Sequence, residues 1–224
     1  QRQMCIRDRL VTSRMFQNYF IEEFGISEDR IEYLPQYAIS EFDNIPDQPE
    51  KNTTDFVFAG NVGAAQNLYV VLKAAKSVQQ EEISDNGKKI YFHIIGDGQE
   101  LDNLKKYAQD NGIQNVLFHG RKPSEEMPRY YAFADAMIVT LTDNPLVSLT
   151  LPAKVQSYMA AGKPILASAN GEIANVIKES GAGFCSRADD NREFVDIVKL
   201  FLNNEDRYNM GKNARKYLSL IHIS

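Results

Sequence analysis

Lys154 lies just beyond Pro152 in the segment Leu151-Pro-Ala-Lys154, which runs on to Gly162-Lys-Pro164. The spacing predicts a short helix with Pro152 at its first position and a stop at Gly162, then a buried strand from Pro164 to Ser168. A lysine in that first turn stands beside free backbone N–H groups at the positive end of the helix dipole, which is unfavourable by itself. An anion at the same place reverses the sign, because helix N-termini bind phosphate. Ser157 shares the face of Lys154 one turn on, where it can bond a ligand hydroxyl or simply pack. The plain alternative for Lys154 is a side chain in solvent.

Three glycine-bearing turns add to this. Gly60-Asn-Val-Gly63 lies between a predicted strand and a predicted helix, and its glycines let backbone N–H groups approach a phosphate. It lacks the full dinucleotide fingerprint and the Gly-Lys-Ser/Thr ending of a P-loop, and a tight turn explains it equally well. In Gly96-Asp-Gly98 the expectation is that Asp97 caps the next helix while Gly96 and Gly98 line a pocket. After Gly120, the crevice-facing and surface readings of Arg121 stand level, and Lys122 reads as surface. His93 and His119 read as satisfied sheet histidines, and Tyr130 and Tyr131 as core or pocket wall. No Ser/His/Asp or Cys/His arrangement and no metal-ligand spacing stands out, so no metal site is expected.

Positioning these residues requires strands and helices in alternation. Apolar runs predict strands at Ile31–Leu34, Phe56–Ala59, Ile90–Ile95, Val116–His119, Ala136–Leu141, Pro164–Ser168 and near Gly183–Cys185. Helical spacing predicts helices from Val11 to Phe24, with Thr12 or Ser13 as N-cap, and from Asn67 to Gln80, Glu100 to Asn111 and Ser124 to Phe133. Further helices are expected from Glu172 to Glu179, Asn191 to Leu202 and Glu205 to Tyr217, with loops over Ser40–Thr54 and Thr142–Thr150. Such alternation implies an α/β fold, a Rossmann-like parallel sheet with helices on both faces. Its ligands belong at the carboxyl ends of the strands, so Gly60, Gly96 and Gly120 should line one crevice.

The 224 residues suffice for one large or two small domains. A net charge of −5 argues against a broad nucleic-acid surface. Two distant cysteines make neither a disulfide framework nor a metal site and fit a reducing cytosol. No apolar run approaches a membrane span, and no secretory signal pattern is present. Residues 1–9 lack an apolar period and 218–224 tail off after a helix; both resemble translated sequencing-adapter read-through. The native part is therefore expected to be residues 10–217, cut from a longer protein.

Together, several motifs resemble the C-terminal donor-binding domain of GT-B-fold glycosyltransferases of the group-one, or family-four, set. They are Tyr33–Tyr37, Phe58–Gly63, Ile95–Glu100, Phe118–Arg121, Tyr131–Ala136, Leu151–Pro164 and Met210–Arg215. The likeness is strongest to bacterial enzymes of O-antigen, capsule and related polysaccharide synthesis, of the N-acetyl-fucosamine transferase type. It implies one half of a GT-B fold and transfer, with retention, from a nucleotide diphosphate sugar such as a UDP-sugar to a glycan or lipid-linked acceptor. No separate cofactor is implied. Two glutamates that many members carry fall here at Leu149 and Ser157, and an Arg and Lys that often grip the diphosphate fall near Asn61 and Gln66. The resemblance thus leaves diphosphate neutralisation to Lys154 with Arg121, and the ribose contact to Ser157 or Gln156. It also implies that an N-terminal acceptor domain, with most of the catalytic groups and any membrane contact, lies in the parent enzyme. The location implied is the cytoplasm or the inner face of the membrane. Two other readings are a nucleotide-binding module without transfer activity and a sugar-nucleotide epimerase.

Overall fold

The computed structural model describes residues 9–34, 42 and 45–221. Cys5, His222 and the end of the Tyr33–Tyr37 motif fall outside these. Six parallel strands form the main sheet: β3 (Thr53–Ala59), β4 (Lys89–Ile95), β5 (Val116–Gly120), β6 (Ala136–Thr140), β7 (Ile165–Ser168) and β8 (Gly183–Ser186). Their spatial order is β5-β4-β3-β6-β7-β8, so the order reverses between β3 and β6. That reversal is where open α/β sheets place their ligands.

Helices cover both faces. Phe56, Phe58, Phe92, Ile94, Ile138 and Leu166 point to a core closed by α2 (Tyr69–Gln80), α3 (Leu101–Asp110) and α8 (Asn191–Leu202). The alternate residues Val57, Ala59, Ile95, Met137, Val139 and Ile165 point the other way. They meet α4 (Met127–Phe133), α6 (Ala153–Ala160), α7 (Glu172–Ser180) and α9 (Arg207–Ile221). Burial on both faces explains why these strands read as continuous apolar runs.

The ladder at the reversal is short. β3 pairs with β4 over all seven residues from Thr53 to Ala59, but its register with β6 covers only Phe56 and Val57. Beyond Val57 the two strands separate, and the Tyr158 hydroxyl fills the gap. It donates to Ala59 O at 2.9 Å and accepts from Ala59 N at 3.1 Å, serving both backbone groups that β6 does not reach.

A smaller unit precedes the sheet: β1 (Arg9–Val11), α1 (Arg14–Phe24) and β2 (Ile31–Tyr33), with β1 and β2 parallel and, among the described residues, paired only to each other. Phe16, Tyr19, Phe20 and Phe24 form a chain of ring contacts along α1, yet no residue of this helix is buried. The unit is fastened at the start of α1. The Glu172 carboxylate accepts from Arg14 N and Met15 N at 3.1 and 3.2 Å, and the Ser13 hydroxyl donates to Leu149 O.

Several expectations need correction. Val11 belongs to β1, and α1 starts only at Arg14. Thr53 and Thr54 lie in β3 because Asp55 is held there by partners rather than exposed in a loop. The Thr142–Thr150 loop contains a short helix, α5 (Pro145–Ser148), whose first amides are capped by Asn144. Pro152 is the N-cap of α6, in an extended conformation, rather than its first residue. α9 continues past Tyr217 to Ile221, and Leu218 is buried in the second core.

Candidate functional site

A cavity of about 410 Å³ opens at the carboxyl ends of β3, β4 and β5 against the start of α4. Its lining includes Gly60, Asn61, Gly96, Arg121, Met127 and Tyr131. The order of the strands accounts for this meeting: β3, β4 and β5 are neighbours, so the turns after them share one edge.

The turns after β3 and β4 are stitched together by backbone bonds. Gly60 N donates to Ile95 O, Val62 N to Asp97 O, and Glu100 N to Val62 O. This contact requires glycine at Gly96, where φ is +142° and a Cβ would lie 1.8 Å from Gly60 O. Gly98 is similarly pressed on Val62, 2.3 Å from a built Cβ to Val62 O. Gly98 is therefore a packing residue under the first turn and does not line the cavity. The expectation of a phosphate cradle from the amides of Gly60 and Gly63 also changes, because both are engaged. Gly60 N serves Ile95, and Gly63 N donates to Gln66 Oε1 at 3.1 Å. Asp97 accepts from the amide of Gly98, its neighbour, and does not cap α3, whose N-cap is Glu100.

Lys154 supplies the charge. Its ammonium lies beside Gly60, close enough that a Cβ there would be 2.7 Å from Nζ, and 4.1 Å above the ring of Phe58. Phe58 belongs to the opposite core layer from α6, so the side chain reaches across where β3 and β6 separate. No carboxylate or carbonyl bonds this ammonium among the described residues. Burial lowers its pKa to about 8. Pro152 brings no side-chain oxygen to the first amides of α6, leaving the positive end of the helix uncapped beside the lysine.

Gln156 and Ser157, both expected near a ribose, do not line the cavity. The Gln156 side chain is 1% exposed, and its amide nitrogen, in the orientation that satisfies both ends, donates to Pro152 O at 3.1 Å. The Ser157 hydroxyl donates back to Ala153 O at 3.3 Å. Each is spent on the start of its own helix.

The two sheet histidines are satisfied. His93 Nε2 lies 2.9 Å from Asp55 Oδ1, and His93 Nδ1 lies 2.9 Å from His119 Nε2. An ionised Asp55 only accepts, so His93 Nε2 carries the proton of that bond, while His93 Nδ1 and His119 Nε2 share the other. Burial alone would raise the Asp55 pKa, but bonds from His93, Lys51 and Thr53 outweigh it and hold the carboxyl at about 2. Burial lowers the pKa of His119.

Two buried residues escaped the sequence reading. Tyr158 pins the end of β3, as described above. Lys163 is buried, donates to Ala132 O and Ala134 O at 2.8 and 2.9 Å, and so closes the end of α4. The Gly-Lys-Pro turn offered a signal for it, since a lysine between a helix stop and a buried strand has little surface to occupy. Among the described residues there is no cluster of His, Cys, Asp or Glu able to hold a metal, and no helix long and apolar enough to cross a membrane.

The fold recurs in solved structures. WaaG, a glycosyltransferase involved in lipopolysaccharide biosynthesis, matches 95% of this chain with a TM-score of 0.77 at 14% identity; 58% of that chain is covered. HepE of Anabaena in complex with UDP matches 94% of this chain and 58% of its own, with a TM-score of 0.75 at 15% identity. Among curated proteins, the probable glycosyltransferase WbjE of Pseudomonas aeruginosa is 36% identical over 188 residues. That alignment takes in 80% of this chain and 44% of the relative. The putative colanic acid biosynthesis glycosyl transferase WcaI of Escherichia coli K12 is 25% identical over 161 residues, 67% of this chain and 37% of its own. The chain thus spans less than half the length of these two curated relatives. The family described as glycosyl transferases group 1 matches residues 41–217, from just before β3 into α9, and so takes in the whole six-stranded sheet and its cavity. With most of its length matched in this way, the chain belongs to the glycosyl transferases group 1 family.

Proposed function

We propose that this chain is the donor-binding half of a retaining glycosyltransferase acting in cell-surface polysaccharide synthesis. The donor is a nucleotide diphosphate sugar, a UDP-sugar in the first instance, and the acceptor a glycan or lipid-linked glycan. The observation that carries this reading is the unpaired Lys154 ammonium at the uncapped start of α6, beside Gly60 at the reversal of strand order. As the sugar leaves, negative charge develops on the diphosphate, and a fixed cation with helix amides stabilises it there. Arg121 is among the residues lining the cavity and adds a second positive charge. WbjE supports a glycosyltransferase, WcaI, named for colanic acid biosynthesis, supports a polysaccharide setting, and HepE, crystallised with UDP, supports the nucleotide. Neither Gln156 nor Ser157 is given the ribose contact, since both are bonded into α6.

The acceptor side is assigned to a second domain. The edges of the β1–β2 pair, which no other strand among the described residues covers, and the unburied aromatic face of α1 are the surface on which such a domain would sit. The reading as a binding module without transfer activity draws on one feature, the Leu149 and Ser157 side chains where the resemblance leads one to expect glutamates. Calorimetric titration with UDP, GDP and a UDP-N-acetylhexosamine tests the nucleotide assignment, and Lys154→Ala should weaken whichever ligand binds. Equal binding by that variant, or no binding of any nucleotide diphosphate, would refute it. Transfer by the chain joined to an acceptor domain would separate enzyme from binding module.

A further inference from the structure

Tyr131 is 4% exposed, and its ring is fixed on two sides. Phe42 stacks on it at 4.7 Å between centroids, and Tyr158 meets it edge-on at 5.3 Å. The hydroxyls of these two tyrosines are treated differently. That of Tyr158 both donates to and accepts from Ala59. That of Tyr131 has no hydrogen-bond partner among the described residues. It is not sealed off either, because the one fully enclosed, unpaired side-chain oxygen or nitrogen there is Asn115 Oδ1. Tyr131 is also one of the residues that line the cavity.

A buried tyrosine hydroxyl ordinarily finds a partner, and leaving it without one costs more than a phenylalanine in the same place would. Packing against Phe42 and Tyr158 needs only the ring. We propose that the Tyr131 hydroxyl is a ligand-binding group, donating a hydrogen bond to an oxygen of the nucleotide held in this cavity. The proposal rests on the nucleotide reading above. Arg121 and Lys122 on the same lining, and Lys154 beside Gly60, make the cavity suited to an acceptor-rich anion. Burial raises the Tyr131 pKa, so the phenol is protonated at neutral pH and available as a donor.

The test is Tyr131→Phe in the 224-residue chain, titrated with UDP, uridine and inorganic pyrophosphate, with melting temperature recorded alongside. UDP affinity should fall roughly fivefold to tenfold, the scale of one hydrogen bond, while the melting temperature holds or rises. A parallel loss with uridine places the contact on the nucleoside, and a parallel loss with pyrophosphate places it on the diphosphate; either supports the proposal. Tyr158→Phe serves as the contrast, since its hydroxyl is used by the protein and its loss should lower the melting temperature. If the parent chain binds UDP and Tyr131→Phe binds it equally well, the proposal is overturned while the nucleotide reading stands. A drop in melting temperature with unchanged affinity also overturns it, by marking the hydroxyl as structural. If the parent chain binds GDP rather than UDP, the same comparison is made with GDP, and if it binds no nucleotide diphosphate, the nucleotide reading fails first and the proposal with it.

Discussion

Lys154→Met should make the chain more stable and worse at binding, and the two effects have separate physical origins. Methionine keeps the length and the apolar stem that lies over Phe58 but removes the charge. Burial lowers the lysine pKa from 10.5 to about 8. At 1.36 kcal/mol per unit that is about 3 kcal/mol against the charged form. Water screens part of this for a half-buried group, leaving about 1–2 kcal/mol. The Met variant should therefore melt roughly 2–8 °C higher in the absence of ligand, given the size of the domain. Binding moves the other way. A phosphate oxygen about 4 Å from the ammonium gains about 4 kcal/mol at an effective dielectric near 20. After desolvation, a charge-assisted bond retains about 1.5–3 kcal/mol, so UDP affinity should fall roughly 10- to 100-fold. The pH dependence has a definite sign. The folded pKa lies below the unfolded one, so between about 8 and 10.5 the unfolded chain holds the extra proton and stability rises with pH. Burial also lowers Lys163, to about 8, so the Lys154 share is the difference between parent and variant. Calorimetry for affinity and thermal melts from pH 7 to 10 read both effects. A variant that binds UDP as tightly as the parent, or melts below it, refutes the assignment of Lys154 as an unpaired cation awaiting a phosphate.

Gly96→Ala should fail to fold or melt far lower, because its Cβ would overlap Gly60 O at 1.8 Å and its φ of +142° is strained for any side chain; expression yield and melting temperature decide this. Tyr158→Phe removes the only partner that Ala59 N and O have on the β6 side among the described residues and should cost about 1–3 kcal/mol in urea unfolding. The Asp55 carboxyl, at about 2 against an ordinary 3.8, contributes about 2 kcal/mol that is present above pH 4 and lost as the pH falls through 2. Asp55→Asn should flatten that part of the melting profile between pH 2 and 5, and an unchanged profile would count against the His93 and Lys51 bonds as its cause.

The sheet was legible because its strands are buried on both faces and so appear as apolar runs, each ended by glycine or a helix start. Phe56–Ala59, Ile90–Ile95 and Ala136–Leu141 all lie on or across observed strands. The crevice was legible in part for the same reason: parallel strands end together, which brings Gly60 and Gly96 to one cavity, while after β5 it is Arg121 rather than the expected Gly120 that lines it. What the pattern hid were contacts between residues far apart in the chain. Tyr158 looked like one more apolar position of a short helix, and only the divergence of β3 from β6 gives its hydroxyl a task. Gln156 and Ser157 looked available because helical spacing places them near Lys154. Spacing does not show that their polar atoms turn back to Pro152 and Ala153. Gly98 looked like pocket lining because a turn glycine and a packing glycine have the same sequence signature, and only the 2.3 Å approach to Val62 O separates them.

The short seam between β3 and β6 bears on how the molecule opens. On one side, β3, β4 and β5 share long ladders; on the other, β6, β7 and β8 do the same. Between them only Phe56 and Val57 are in register, with Tyr158 as a side-chain rivet. Amide hydrogen exchange should therefore divide the sheet into two cooperative blocks, with the amide of Ala59 exchanging through openings smaller than global unfolding. Because Lys154 crosses this seam beside Gly60, a ligand clasped there would bridge the blocks. Its binding should slow exchange at Ala59 more than in the strands of either half.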